Sequence, residues 1–220
     1  MPPAAEDRSA GAMTDALTGA ATLHYLMKEL PREYARCHRY RHALAIARCD
    51  IDRLKLINAG FGRDAGDDVL RVFNARVLRV VRSSDWIARV VDDEFVVVLP
   101  ETDLDGAALV AERIREAMAE RTIKAGNDAF TATVSIGYCA VTNPVELARL
   151  ACDDMLQVSA EQLKIAVQGG RNRISGIHAA RRSHGSETVP VAEKRATLSA
   201  PEELMLVEYD GKPSGSRAKR

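Results

Sequence analysis

The chain carries no net charge: 31 Lys and Arg balance 31 Asp and Glu across 220 residues. That balance excludes a protein that wraps duplex nucleic acid, which would show a basic excess. Nowhere does the sequence approach the ~20 consecutive apolar residues needed to span a bilayer. The start, MPPAAED, lacks the basic and apolar regions of a signal peptide. Cysteine is sparse and scattered, at Cys37, Cys49, Cys139 and Cys152, with no Cys-x-x-Cys pair and no Cys/His ligand spacing. This excludes a structural zinc framework and reads as reduced thiols. Together these absences imply a cytoplasmic protein that engages neither membrane nor nucleic acid.

What is present is a globular composition, 46% apolar and 28% charged, long enough for one domain with a real core. Residues 1–12, rich in Pro, Ala and Ser, read as a flexible leader. Residues 177–220 mix eight Lys/Arg with six Asp/Glu among Ser, Gly and Pro. They read as a disordered tail with an apolar island at 199–209. Between them, helix-like and strand-like stretches alternate. A helical pattern covers 19–39, and Ala43–Cys49 reads as a strand running into Asp50-Ile51-Asp52. Leu70, Phe73, Val77, Val80 and Val81 share one helical face. Trp86–Val90 and Phe95–Leu99 flank an acidic turn, a hairpin signal. Thr102 or Asp103 caps a helix with a stripe of Ala107, Val110, Ala111, Ile114 and Met118. Phe130–Tyr138 reads as a strand, 144–168 as a helix stopped by Gly169-Gly170, and Arg171–Ile174 as a last strand. The order α-β-α-β-β-α-β-α-β implies one α/β sandwich with an antiparallel hairpin inside a mixed sheet.

Two clusters bear on chemistry. Asp50 ends the first strand and Asp92-Asp93-Glu94 occupy the hairpin turn, so neighbouring strands would gather these acids at one rim. Hard divalent cations such as Mg²⁺ take oxygen ligands in that arrangement, with substrate phosphates completing the shell. The alternative is that acids at strand ends are simply solvated. In Asp50–Asp67, glycines at 60, 62 and 66 loosen the chain between two helical pieces. There Asn58 and Asp67 can meet a base edge and Lys55 a phosphate; the alternative is a polar, Gly-rich turn.

Six segments in order carry a resemblance: Asp15-Ala-Leu-Thr-Gly19, Asp50–Asp67, Arg82-Ser-Ser-Asp85, Ala88-Arg-Val-Val-Asp-Asp-Glu-Phe95, Val134-Ser-Ile-Gly137 and Gly170-Arg-Asn-Arg-Ile174. Over residues 13–176 the chain resembles the GGDEF domain of bacterial diguanylate cyclases. The resemblance implies a palm-like α/β fold related to nucleotide cyclases and polymerases, with a central mixed sheet and antiparallel hairpin flanked by helices. It implies metal binding by Asp50, the Ile51 carbonyl and Asp93, with Mg²⁺ accompanying bound nucleotide. Glu94 matches the second signature acid, so Asp93 and Glu94 are the catalytic candidates. Asn58 and Asp67 match the guanine-reading pair, and Lys55 and Arg171 match phosphate contacts. Arg82 and Asp85 match an Arg-x-x-Asp site for cyclic di-GMP, which Arg113 completes from a facing domain. In active members, two GTP-loaded domains face each other and each 3′-hydroxyl attacks the other's α-phosphate, giving cyclic di-GMP and two pyrophosphates.

The departures cluster at the triphosphate. Val91-Asp92 replaces the family's Gly-Gly, which predicts a valine strained at positive φ, methyl groups against the nucleotide and one more negative charge. Ala20-Ala21-Thr22-Leu23 replaces Leu-x-Asn-Arg, Val167 stands where a lysine is usual, and Arg63 replaces a common histidine. Three functions follow. The first is a degenerate GGDEF protein that binds cyclic di-GMP and makes little or none, acting as a homodimer or on a protein partner. The second is an active cyclase condensing two GTP. The third is a nucleotide-independent docking scaffold.

Overall fold

The computed structural model describes residues 13–125, 128–148 and 150–179; the leader at 1–12 and, of the segment read as a tail, residues 180–220 with the island at 199–209 lie outside these, whereas 177 and 178 end a strand rather than open a disordered tail. Strand β1 (Ala21–Thr22) leads into helix α1 (Leu23–Tyr40), where the Thr22 hydroxyl accepts from the Tyr25 N–H at 3.3 Å as N-cap. The helix ends at Arg41, whose φ of 58° breaks its path. Strand β2 (Leu44–Ile51) follows, then helices α2 (Leu54–Phe61) and α3 (Arg63–Val80) meeting at Gly62, φ 89°. Strands β3 (Trp86–Val91) and β4 (Glu94–Pro100) form the hairpin, and α4 (Leu104–Ala119) starts where Asp103 accepts from the Gly106 N–H at 2.8 Å. A two-stranded ribbon of β5 (Ile123–Ala125) and β6 (Asp128–Phe130) precedes β7 (Val134–Val141). Helices α5 (Pro144–Leu147) and α6 (Cys152–Gln168) and strand β8 (Ile174–His178) complete the domain.

The main sheet has six strands in the order β1-β3-β4-β2-β7-β8. Its four inner strands are antiparallel to one another, and each two-partner edge addition, β1 on β3 and β8 on β7, is parallel. The sheet is therefore mixed, with the hairpin at its centre, as the sequence implies. Strand β2 is buried on both faces, which explains its nearly continuous apolar run. Ala45, Ala47, Cys49 and Ile51 pack with Phe73 and Val77 of α3 and Ala107, Ala111 and Ile114 of α4. Leu44 and Ile46 pack with Leu26 and Leu30 of α1 and Met155 of α6. On β7, a Cβ at Gly137 would lie 1.9 Å from the Leu163 nitrogen, so the bare backbone there lets α6 lie against the sheet. All four cysteines are free thiols.

Three elements differ from the sequence expectation, each because a side chain redirects the backbone. The strand expected over Phe130–Tyr138 is broken at Thr131–Thr133, where Thr133 turns aside to bond Asp52 through both its carbonyl and its hydroxyl. The helix expected over 144–168 is two helices, because the Tyr34 hydroxyl takes the carbonyls of Leu147 and Leu150 at 2.5 and 2.9 Å. Asp154 then starts α6 by accepting from the Ala151 N–H at 2.7 Å. The last strand begins at Ile174 rather than Arg171. Arg171 and Asn172 sit at φ 64° and 45°, which no strand accommodates, and the sheet runs past 176 to His178 with Ala179 fully buried.

Candidate nucleotide site

Antiparallel pairing places Asp50, near the end of β2, directly across from Glu94 on β4 and Ser135 on β7. Asp92 and Asp93 form the two-residue turn between β3 and β4, since Val91 pairs with Glu94. The Ile51 N–H donates to the Asp93 carbonyl at 3.3 Å, tying the turn to the end of β2. The expected acidic rim is thus assembled from Asp50, Asp93 and Glu94, with the Ile51 backbone beside them.

The expected strain at Val91 does not occur. A register shift between Arg89 and Val91 keeps the valine in the strand, with its side chain 53% exposed, and the positive φ (38°) falls on Asp92. Aspartate tolerates that conformation far better than a β-branched residue does. Arg89 fixes the turn from beneath: its Nε and Nη2 donate to the Asp92 carbonyl at 3.0 and 2.7 Å. Its Nη1 reaches Asp15, whose carboxylate also accepts from the Thr18 N–H and hydroxyl. The Asp-x-Leu-Thr-Gly segment is therefore a brace for the turn.

Burial pushes the Asp50 carboxyl up to about 7, helped by repulsion from Asp93, Asp52 and Glu94, while Arg171 opposes the shift. Two carboxylates and a backbone carbonyl are hard oxygen donors whose mutual repulsion a divalent cation would relieve, so Asp50, Asp93 and the Ile51 carbonyl fit Mg²⁺. Such an ion would supply charge neutralisation for a polyphosphate. Among the described residues no cluster of three or more His, Cys, Asp or Glu side chains gathers as a complete protein-only site. In chelator, Asp50→Asn should therefore stabilise the protein at neutral pH by about 1–2 kcal/mol, allowing for solvent screening of a half-exposed group. With the folded-state pKa above the unfolded one, the native protein binds the extra proton. The parent should lose stability as pH rises from about 4 to about 7, and the variant should not. Thermal melts across that range check this; parallel pH profiles would contradict it.

Asn58 lies on α2 over Gly66 of α3, where a Cβ would come within 1.7 Å of its Oδ1. That oxygen is buried and has no hydrogen-bond partner among the described residues. Asp67 follows Gly66 and is half-buried, so Asn58 lies beside the chain neighbour of Asp67, while Lys55 is exposed on α2. Arg171 is exposed on the turn after α6 and close enough to Asp50 to act on its charge.

Arg82 and Asp85 close one turn: the Asp85 carboxylate accepts from the Arg82 N–H at 2.8 Å and the Ser84 hydroxyl at 3.1 Å. Asp85 is buried, whereas the Arg82 guanidinium is exposed and without a partner among the described residues. The two residues line different hollows. One, of about 220 Å³, holds Arg82 with Glu101 and Asp103; the other, about 340 Å³, holds Asp85 with Tyr25, Asn74 and Trp86. Arg113 is exposed on α4.

Sequence reasoning missed Asp52 as a hub. Only 5% exposed, it accepts from the hydroxyls of Thr133 and Ser135, both at 2.6 Å, and from the Asn172 N–H at 3.0 Å. Arg115 of α4, itself held by Glu112, donates to the Asn172 side-chain oxygen at 3.0 Å. Arg171 is thereby set in its left-handed conformation from two sides. The Asp-x-Asp spacing at the strand end was the available signal.

Fold and rim together define a palm-like α/β domain of the nucleotide-cyclase kind. The chain belongs to the diguanylate cyclase, GGDEF domain family, whose model matches residues 12–173, a family of cyclic di-GMP signalling. It is 34% identical over 169 residues to diguanylate cyclase DgcP of Pseudomonas aeruginosa, covering 77% of this chain and 24% of that one. The chain thus spans about a quarter of that curated relative, and about a third of others. Among solved structures, the coiled coil and GGDEF domain of DgcB from Caulobacter crescentus, in complex with c-di-GMP, aligns with a TM-score of 0.69 at 26% identity. That alignment covers 75% of this chain and 85% of that one. Diguanylate cyclase SiaD from Pseudomonas aeruginosa, in complex with its activator SiaC, aligns at 0.70 and 26% identity, covering 76% and 63%. No helix among the described residues is long and apolar enough to cross a membrane.

Proposed function

We propose that this domain binds cyclic di-GMP at the Arg82–Asp85 turn, assisted by Arg113 of a second copy, and binds guanine nucleotide weakly at the acidic rim with little synthesis. The observation that carries this reading is the turn itself. Asp85 is locked by two hydrogen bonds while the Arg82 guanidinium, exposed, has no partner among the described residues. A free guanidinium reads phosphate or the guanine Hoogsteen edge, and a carboxylate accepts from guanine N–H groups. Because the two residues line adjacent but separate hollows, a ligand touching both must straddle the turn, which suits an extended dinucleotide. Asn58, Asp67, Lys55 and Arg171 would hold GTP at the rim, where Asp92 adds negative charge beside Asp93 and Glu94. The DgcB complex with c-di-GMP supports a product site on a fold of this kind.

Calorimetry with cyclic di-GMP should give binding at tens of micromolar or tighter for the parent, and Arg82→Ala should weaken it at least about tenfold. Absence of binding by the parent would sink the product-site reading. A second reading, a slow but working cyclase, is favoured by the unstrained turn, with Asp92 rather than Val91 at positive φ. Incubation with GTP and Mg²⁺ followed by nucleotide chromatography, with Asp93→Ala as control, separates the two.

A further inference from the structure

Alternation along β2 places Leu44, Ile46, Arg48 and Asp50 on the side of the sheet that packs on α1 and α6. Arg48 follows two apolar residues in that row, and its partner is Glu94. Nε of Arg48 donates to Oε2 of Glu94 at 2.9 Å, and Nη2 lies 2.8 Å from the same oxygen in the ion pair. The two side chains are only 19% and 28% exposed. The hydrogen bond and the charge contact both fall on Oε2, which leaves Oε1 without a protein partner among the described residues. Asp50 stands directly across the strand pair. Of the rim carboxylates Asp50, Asp92, Asp93 and Glu94, Glu94 is the one in an ion pair among the described residues.

We propose that Arg48 is a positioning residue for the rim: it holds Glu94 with one oxygen presented to bound nucleotide and cancels one negative charge that a polyphosphate would otherwise meet. Arginine suits this role because it stays charged at any working pH and its planar guanidinium sets Nε and Nη2 against the same oxygen, which a lysine ammonium cannot do. The pairing offsets the charge that Asp92 adds at the same rim. Among the described residues Arg48 makes no other hydrogen bond or ion pair that would account for a largely buried guanidinium on this strand face. The proposal rests on the rim being the guanine-nucleotide site.

The test is calorimetric titration with a non-hydrolysable GTP analogue and Mg²⁺ on the parent, Arg48→Met, Arg48→Lys and the double variant Arg48→Met/Glu94→Gln. Arg48→Met should weaken binding about tenfold at low salt, and the loss should shrink as ionic strength rises. The double variant restores the net charge and should return to within about threefold of the parent. Arg48→Lys keeps the charge without the fork and should lie between, which also serves if Arg48→Met fails to fold. A lowered melting temperature with unchanged affinity, tighter binding by Arg48→Met, or no recovery in the double variant would each overturn the proposal. In those cases a parent that binds the analogue leaves the nucleotide-site reading standing. A parent that binds none would overturn that reading and this proposal with it.

Discussion

Asp92→Gly is expected to raise the rate of cyclic di-GMP formation from GTP and Mg²⁺ by about tenfold to a hundredfold. Asp92 sits on the hairpin turn beside Asp93 and Glu94, exposed and at φ 38°. A carboxylate ~5 Å from a phosphate charge repels it by up to ~3 kcal/mol at an effective dielectric near 20, and exposure reduces this. Each ~1.4 kcal/mol is tenfold in rate. Glycine removes the charge and the side chain and relaxes the left-handed backbone. Nothing is lost beneath the turn, because Arg89 bonds the Asp92 carbonyl rather than its carboxylate. Asp92→Asn divides the causes, since asparagine keeps the bulk and tolerates positive φ but carries no charge. If repulsion dominates, Asp92→Asn should recover most of the gain, and the gap to the parent should narrow in high salt. Initial rates for the three proteins across a salt series decide it. Equal rates for all three would show that Asp92 is not what limits synthesis.

The turn also shows where reading residues in order succeeds and where it stops. Strands β2, β3 and β4 and the stripe of α4 were legible because burial imposes a period on apolar residues. The acids at the rim were legible because strand ends are punctuated. The sign of φ at Val91 was not: a register shift moved the left-handed residue by one position, and such a shift depends on cross-strand pairing rather than on local sequence. The breaks at Thr131–Thr133 and between Leu147 and Cys152 were illegible for the same reason. Each is made by a side chain remote in sequence, Asp52 in one case and Tyr34 in the other. Within the site, Asn58, Asp67, Asp50 and Asp93 could be named from motif positions. Arg48 and Arg115 could not, because each is explained only by the partner that the fold brings to it, Glu94 and Asn172. Motifs report groups that face a ligand more readily than groups that hold those groups in place.

Asp52→Ala should destabilise the domain by about 3 kcal/mol or more, the reverse of what is expected for Asp50→Asn two residues away. Asp50 is a carboxylate crowded by others of its own sign, whereas Asp52 is a carboxylate surrounded by donors. Removing it leaves the Thr133 and Ser135 hydroxyls and the Asn172 N–H without their acceptor in a site that water barely reaches, at about 1–3 kcal/mol for each buried group left unpaired. For a domain of this size the melting temperature should fall by roughly 6–12 °C. The loss should also be felt at the rim. Arg171 and Asn172 hold positive φ because Asp52 takes the Asn172 N–H and Arg115 takes its side chain. Once freed, that turn can relax toward commoner conformations and draw the Arg171 charge away from Asp50. Binding of a GTP analogue, measured well below the lowered melting temperature, should weaken about tenfold, and Arg115→Ala should reproduce part of that weakening with a smaller change in stability. If Asp52→Ala melted within about 2 °C of the parent, the buried hub would not be holding the structure together. If it melted early yet bound the analogue as tightly as the parent, Arg171 would owe its placement to something other than Asp52.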